Sequence, residues 1–354
     1  MADDVVVIGV GMMTAVGLSA PETAASVRSG LARFRETSIH DHDFEPFTIA
    51  EVVADGLPGL ARGVGVGPPR PTARELRMLR LATMPLREAL TGLPKGAPAP
   101  GLLLSLPAST ADRPLDPAAF LARLARQVDG AFDLRLSDAS ERGRAGGVSA
   151  VGRAVDAIGA GQASFVLAGG VDTYRDLYVL GTLDLEKRVK SSAHLDGFIP
   201  GEGAAFLLLA SRAAAATAGV RPLGAVTSAA TSMELGHLYS DEPYRGEGLA
   251  VAFTALAQTG VVTGPIQEVY SSMNGENHWA KEWGVGFIRN HGVFGPEHGM
   301  HHPADSYGDT GAACGPLMVG LAALGVSDGY RRSPCLVYGS SDDGPRAAVA
   351  VTAI

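Results

Sequence analysis

The stretch Glu141–Ile158, "ERGRAGGVSAVGRAVDAI", decides how the rest of the chain is read. Its second half has the apolar spacing of an amphipathic helix. Its first half, glycine-rich around Arg144, reads as a sharp turn that opens such a helix. A second stretch, Gly308–Val326 "GDTGAACGPLMVGLAALGV", has the same build. Gly143, Gly146 and Ala157 match Gly308, Gly311 and Ala322 at a constant offset, so Arg144 and Asp309 occupy corresponding positions. Each helix precedes a pair of apolar runs. The first pair is "FVLAGGVD" (165–172) and "GAAFLLLA" (203–210); the second is "CLVYGSSD" (335–342) and "RAAVAVTA" (346–353). Near-continuous apolar runs of this length read as strands buried on both faces. An internal duplication of one α/β unit is the simplest reading.

The flanking sequence fits a layered α/β protein. Val5–Gly9 reads as a strand, and "SAPETAASVRSGLARF" (19–34) as a helix with Ser19 as its N-cap. Thr72–Leu90 reads as a helix whose apolar positions include Leu76, Leu79, Met84 and Leu86, with Pro85 expected to kink or split it. "LLLSLP" (102–107) reads as a short strand, and Asp116 caps a helix beginning at Pro117. Leu57–Pro71 and "KGAPAPG" (95–101) read as loops. "EVYSSMNG" (268–275) reads as a strand leading into a turn.

Composition narrows the function classes. A chain of 354 residues, 46% hydrophobic, buries a large core. A formal charge of −8 argues against a nucleic-acid footprint. No apolar run reaches membrane-spanning length, and the acidic start "MADD" is unlike a secretory leader. Two cysteines, Cys314 and Cys335, make no disulfide framework, so a cytoplasmic location is expected. Neither "GVGMMTAVG" nor "GFIPGEGA" has dinucleotide-site spacing, and no cofactor is expected. The dense run "NHGVFGPEHGMHHPADSYGD" (290–309) carries His291, His298, His301 and His302. Imidazoles at that density can hold a divalent metal, but the spacing fits no standard motif, and the Gly/Pro punctuation reads as an exposed solvated or interface loop.

Several of these stretches together resemble the β-ketoacyl synthases. "VVVIGVGMMTAVGLSAPETAASVRSG" (5–30) is similar to their opening strand, turn and helix. "GAGQASFVLAGGVDT" (159–173) is similar to the strand after their nucleophile helix. "HLDGFIPGEGAAFLLLA" (194–210) resembles their most recognisable loop, and "GDTGAACG" (308–315) a small-residue helix start. The likeness runs with gaps from Val5 to the C-terminus; Phe34–Pro71 matches poorly, and Pro107–Gly143 looks shortened. The resemblance implies an α/β thiolase-like fold: two pseudo-symmetric halves, 1–222 and 223–354, in a five-layer αβαβα sandwich. It also implies a homodimer, with an edge strand near Asp133–Asp138 against its twofold mate.

The chemistry of that family does not carry over. A synthase of this kind uses a cysteine thiolate at a helix N-terminus, two histidines and an oxyanion hole. The resemblance puts Arg144 at the cysteine, Asn274 at the first histidine, Asp309 at the second and Ala304 near the lysine. "GSSDDGPR" (339–346) replaces an aromatic gate. Among possible substitutes, Cys314 and Cys335 read as small packing residues, and Ser149 has no motif histidine beside it. Arg144 and Asp309 either pair across the pocket or each cap locally. The expectation is a catalytically degenerate protein that binds a protein partner. Candidate partners are an active synthase subunit, as for a chain-length factor, an acyl carrier protein, or a type VI secretion effector, since "GMMTAVGLSAPETAASVRSG" (11–30) resembles short synthase-like proteins encoded beside such effectors. The alternative is an acyltransferase or hydrolase with relocated residues.

Overall fold

The computed structural model describes residues 4–109, 114–260, 262 and 264–354. In chain order the first portion runs β1 (Val5–Thr14), α1 (Ala20–Arg28), β2 (Arg35–His40), β3 (Pro46–Ile49), α2 (Ala73–Ala89), β4 (Gly101–Leu106), α3 (Pro117–Gln127), β5 (Asp138–Glu141), α4 (Gly143–Gly159), β6 (Phe165–Thr173), α5 (Leu177–Leu185) and β7 (Glu202–Ser211). It continues with α6 (Arg212–Thr217), β8 (Gly224–Val226), β9 (Ala230–Met233), α7 (Glu247–Gln258), β10 (Ile266–Ser271), α8 (Asn277–Arg289), β11 (Phe294–His301), α9 (Ala304–Tyr307), α10 (Cys314–Ser327), β12 (Cys335–Ser340) and β13 (Pro345–Thr352).

The strand order repeats. In the first portion it is β1-β7-β6-β4-β5, with the first two pairings antiparallel and the last two parallel. In the second, β8 and β9 both flank β13, and the order continues β13-β12-β10-β11 with the same sequence of directions. β8 also pairs with β1, which joins the two half-sheets edge to edge. α2 and α3 cover the outer face of the first half-sheet, and α7 covers that of the second with α8 packed beside it. Between the half-sheets lie α4 and α10, each touching strands of both. Five layers result. The central pair can approach because small residues meet there: a Cβ on Gly147 would lie 2.8 Å from the Ala312 carbonyl oxygen, and one on Gly315 2.5 Å from the Val148 nitrogen. The two helix entries also share a backbone feature, since Gly143 (φ 57°) and Gly308 (φ 69°) both lie in the left-handed region.

Four local expectations need correction. Pro85 does not split its helix; α2 is continuous, with a capping box between Thr72 and Glu75, and its packing on β1, β6 and β7 outweighs one missing backbone bond. Met84 on that helix is exposed, not core. Leu134–Leu136 is a 3-10 turn, because the Asp133 carboxylate accepts the Arg135 N–H; the edge strand is β5, which begins at Asp138. The middle of the histidine-rich run, Phe294–His301, is a strand and not a loop: β11 pairs in parallel with β10. It ends the sheet, where a residue lacking an N–H, Pro296, is tolerated. Among the described residues no helix is long and apolar enough to cross a membrane.

Candidate functional site

The site forms where the entries of the two central helices meet. α4 starts at Gly143 without a side-chain cap of its own. Ser341, from the β12–β13 turn, supplies one: its Oγ accepts the Ala145 N–H at 2.9 Å and donates to the Arg142 carbonyl at 2.5 Å. The second entry is looser. α10 begins only at Cys314, after a 3-10 turn at Gly311–Ala313, so Asp309 sits ahead of the helix and not in its first turn. Asp309 is held in place by its backbone, which bonds Ile199 and Gly201 in the loop before β7.

Arg144 and Asp309 do pair. The Arg144 Nε donates to Asp309 Oδ2 at 2.8 Å, and a terminal nitrogen donates to the same oxygen. Its other terminal nitrogen donates to Asp342 Oδ1 at 2.6 Å. Arg144 and Asp309 are both buried, with side chains 3% and 2% exposed, whereas Asp342 is partly exposed. Asn274 donates to Asp309 Oδ2 at 2.7 Å and to Glu276 Oε2 at 3.0 Å. Glu276 accepts two bonds from Arg188, at 2.7 and 2.9 Å, and one from the Trp279 indole at 2.9 Å. Arg188 closes the circuit by donating to Asp342 Oδ2 at 3.0 Å. The result is a ring: Arg144, Asp309, Asn274, Glu276, Arg188, Asp342 and back to Arg144. Two guanidinium groups face three carboxylates, and the Arg144 guanidinium lies 5.3 Å from the Trp279 ring centroid.

This ring is electrostatically fixed. Burial alone would lower the Arg144 pKa, but the Asp309 and Asp342 carboxylates reverse that and hold it well above its ordinary value. Burial likewise works to raise Asp342, yet Arg144 and then Arg188 hold its carboxyl well below the usual range. Arg144 and Asp342 stay charged near neutral pH, so neither relays a proton at the position of the expected nucleophile. The substitutes fare no better. Burial pushes the Cys314 thiol up to about 12, and the Cys335 thiol likewise to about 12, so neither is a thiolate at neutral pH. Among the described residues no histidine hydrogen-bonds Ser149.

Two supporting pairs brace the entries. Asp172 accepts from Arg74 at 2.8 Å and from the Ala312 N–H at 3.0 Å. Glu202 is gripped by Arg77 through two nitrogens and accepts the Val52 N–H at 2.7 Å. In front of the ring remains a cavity of about 340 Å³, lined among others by Arg144, Tyr174, Tyr239 and Asp342.

Arg144, Asn274 and Asp309 are thus brought together, as the repeat and the resemblance suggested. Arg188, Glu276 and Asp342 were not foreseen as site residues. Asp342 had a signal, since it lies in the "GSSDDGPR" segment that departs from the gate motif. The four histidines are not brought together. His301 bonds Glu268 at 2.8 Å, His302 bonds Ser271 at 2.7 Å, His298 bonds the Gly295 carbonyl at 2.8 Å, and His291 is exposed. Among the described residues no three His, Cys, Asp or Glu side chains converge as a metal site. Ala304 opens the short helix α9.

Comparison with known proteins agrees with this geometry. Residues 143–215 match the beta-ketoacyl synthase N-terminal domain family. No curated protein matches the chain. Among solved structures, the ishigamide ketosynthase/chain length factor superposes with a TM-score of 0.79 at 16% identity, covering 100% of both chains. A type II PKS acyl-carrier protein in complex with its ketosynthase bound to the hexaketide gives 0.78 at 15% identity, again over 100% of both. The ketosynthase from module 6 of the bacillaene synthase of Bacillus subtilis 168 gives 0.79 at 13% identity, over 99% of this chain and 72% of that one. The fold is therefore the thiolase-like ketosynthase fold, and residues 143–215 resemble the beta-ketoacyl synthase N-terminal domain.

Proposed function

We propose that this chain is a catalytically degenerate synthase-like protein that works by binding a protein partner. One observation carries the reading: the helix turn where a synthase would present its thiolate holds Arg144, locked between Asp309 and Asp342. A permanently protonated guanidinium has no lone pair with which to attack a thioester. Asn274 and Asp309 cannot act as the two imidazoles of a decarboxylating site.

We read the repeat as two halves, 1–222 and 223–354, in a cytoplasmic homodimer. Support for the dimer comes from β5, which among the described residues ends the sheet with one neighbour, beside Leu136 at 64% exposure. An unpaired edge of that kind is normally covered. For the partner, the chain-length-factor reading draws on the likeness to the ketosynthase/chain length factor structure. The type VI secretion adaptor reading draws on the opening stretch 11–30. Incubation with acyl- and malonyl-loaded carrier protein tests the reading: intact-mass analysis finds no acylated chain and decarboxylation stays at background. A stable acyl adduct on Cys314 or Ser149 overturns it.

A second reading has one observation in its favour. Ser271 Oγ lies 2.7 Å from His302 Nδ1, and burial lowers the His302 pKa, which keeps the ring a neutral base. That is the hydroxyl–imidazole pair a relocated hydrolase would need, though Ser271 is almost completely buried. Labelling by a fluorophosphonate that disappears in Ser271→Ala would favour it over the binding protein.

A further inference from the structure

The cavity before the ion-pair ring has its own chemistry. In a helix-entry pocket the expected guest is an anion, because free N–H groups and the helix dipole attract negative charge. Here three of those donors are already taken. The Ala145 N–H goes to Ser341 Oγ, the Gly311 N–H to Asp309 Oδ1 and the Ala312 N–H to Asp172 Oδ2. The two lining arginines are engaged as well: Arg74 by Asp172 and the Thr173 carbonyl, Arg144 by Asp309 and Asp342.

The carboxylates are less evenly matched. Glu186 lines the cavity, accepts the Tyr239 hydroxyl at 3.0 Å, and meets Arg188 only at 4.0 Å. Asp343 also lines it and is exposed. The ring behind them already holds three carboxylates against two guanidiniums. Tyr174, Tyr178 and Tyr239 add aromatic lining of the kind that receives cations, and Val179 and Leu183 add apolar wall. Burial pushes the Tyr239 phenol up to about 12 against the opposing pull of Arg188, and burial with the Asp309 carboxylate raises Tyr174 well above its ordinary value, so both stay neutral.

We propose that this cavity binds a small organic cation, a primary ammonium on an apolar body, with the charge toward Glu186 and Asp343 and the body against Val179 and Leu183. At about 340 Å³ the cavity lies at the small end of ligand pockets and has room for a guest of benzylamine's size. The proposal rests on reading this centre as a binding site, and its test involves no turnover. The two therefore fail separately: an acyl adduct would end the binding-protein reading, whereas the calorimetry below judges only the guest.

Isothermal titration of the full chain at neutral pH with benzylamine, benzyl alcohol and benzoate decides it. Saturable binding of benzylamine, with benzyl alcohol weaker and benzoate absent, is the expected result. Glu186→Gln and Asp343→Asn each weaken benzylamine by up to about fivefold, the scale of one partly exposed charge pair, and leave benzyl alcohol unchanged. No benzylamine binding, equal binding of the alcohol, binding of benzoate, or indifference of both variants would overturn the proposal.

Discussion

The ion-pair ring and the strand β11 are the two places where this chain concentrates chemistry-bearing side chains, and they are built in opposite ways. β11 and the residues after it carry three histidines within five positions, His298, His301 and His302. In the fold they diverge to Gly295, Glu268 and Ser271. Alternate residues of a strand face opposite sides of a sheet, so density along the chain disperses in space. The ring does the reverse. Its six residues come from α4, the loops after α5, β10 and β12, the cap of α8 and the turn before α10, yet every neighbour is within hydrogen-bonding distance. Convergence follows topology: the loops at the same ends of the parallel strands and the helix entries between them meet at one point.

That contrast can be broken by mutation. The largest effect is expected for Arg144→Ala, which leaves the Asp309 carboxylate buried without its cation, while Asp342 keeps Arg188 at 3.0 Å. A loss of about 3–5 kcal/mol in urea denaturation is the expected scale. A variant as stable as the parent would mean that the ring adds nothing to the fold.

Asp342→Asn should cost less, and its cost should depend on pH. The native Asp342 pKa lies below its unfolded value, near 4 for a free aspartate. Its contribution is therefore complete above that value and is lost as pH falls through the native one. The stability gap between parent and Asp342→Asn should be widest at pH 6–7 and shrink steadily below pH about 4. A gap that is flat with pH would contradict the assigned charge.

On the β11 side the expected effects are small. His301→Ala removes one bond to Glu268, which Arg332 still holds at 3.0 Å, so about 1 kcal/mol is the expected loss. His291→Ala, on an exposed side chain, should stay within about 0.5 kcal/mol. Added zinc should leave the thermal midpoint of the parent unchanged. A zinc-dependent rise lost in either variant would restore the metal reading and erase the contrast.

Much of the scaffold was legible in the sequence. The repeat between Gly143 and Gly308 pointed to matching helix entries, and both glycines adopt positive φ. The apolar runs at 165–172, 203–210, 335–342 and 346–353 became β6, β7, β12 and β13. The constant offset made Arg144 and Asp309 equivalent positions, but whether they pair or cap locally was open until the structure joined them. Arg188 and Glu276 were illegible because nothing local marks a charged residue as buried; their burial is set by loops far away in sequence. The resemblance placed an edge strand near Asp133–Asp138, but an Asp side chain bonding the backbone two residues on turns the chain there instead. Glycine and proline in β11 suggested a loop because an edge position, which excuses them, is known only from the assembled sheet.

The central claim is that Arg144 and Asp309 act as one buried unit in the place of a nucleophile. A double-mutant cycle tests it most directly, with Arg144→Cys, Asp309→Ala and the combined variant unfolded in urea at pH 7. The account predicts that each single change is destabilising and that the pair loses less than the sum, with a coupling of about 1–3 kcal/mol. Single effects that add to within about 0.5 kcal/mol would contradict it.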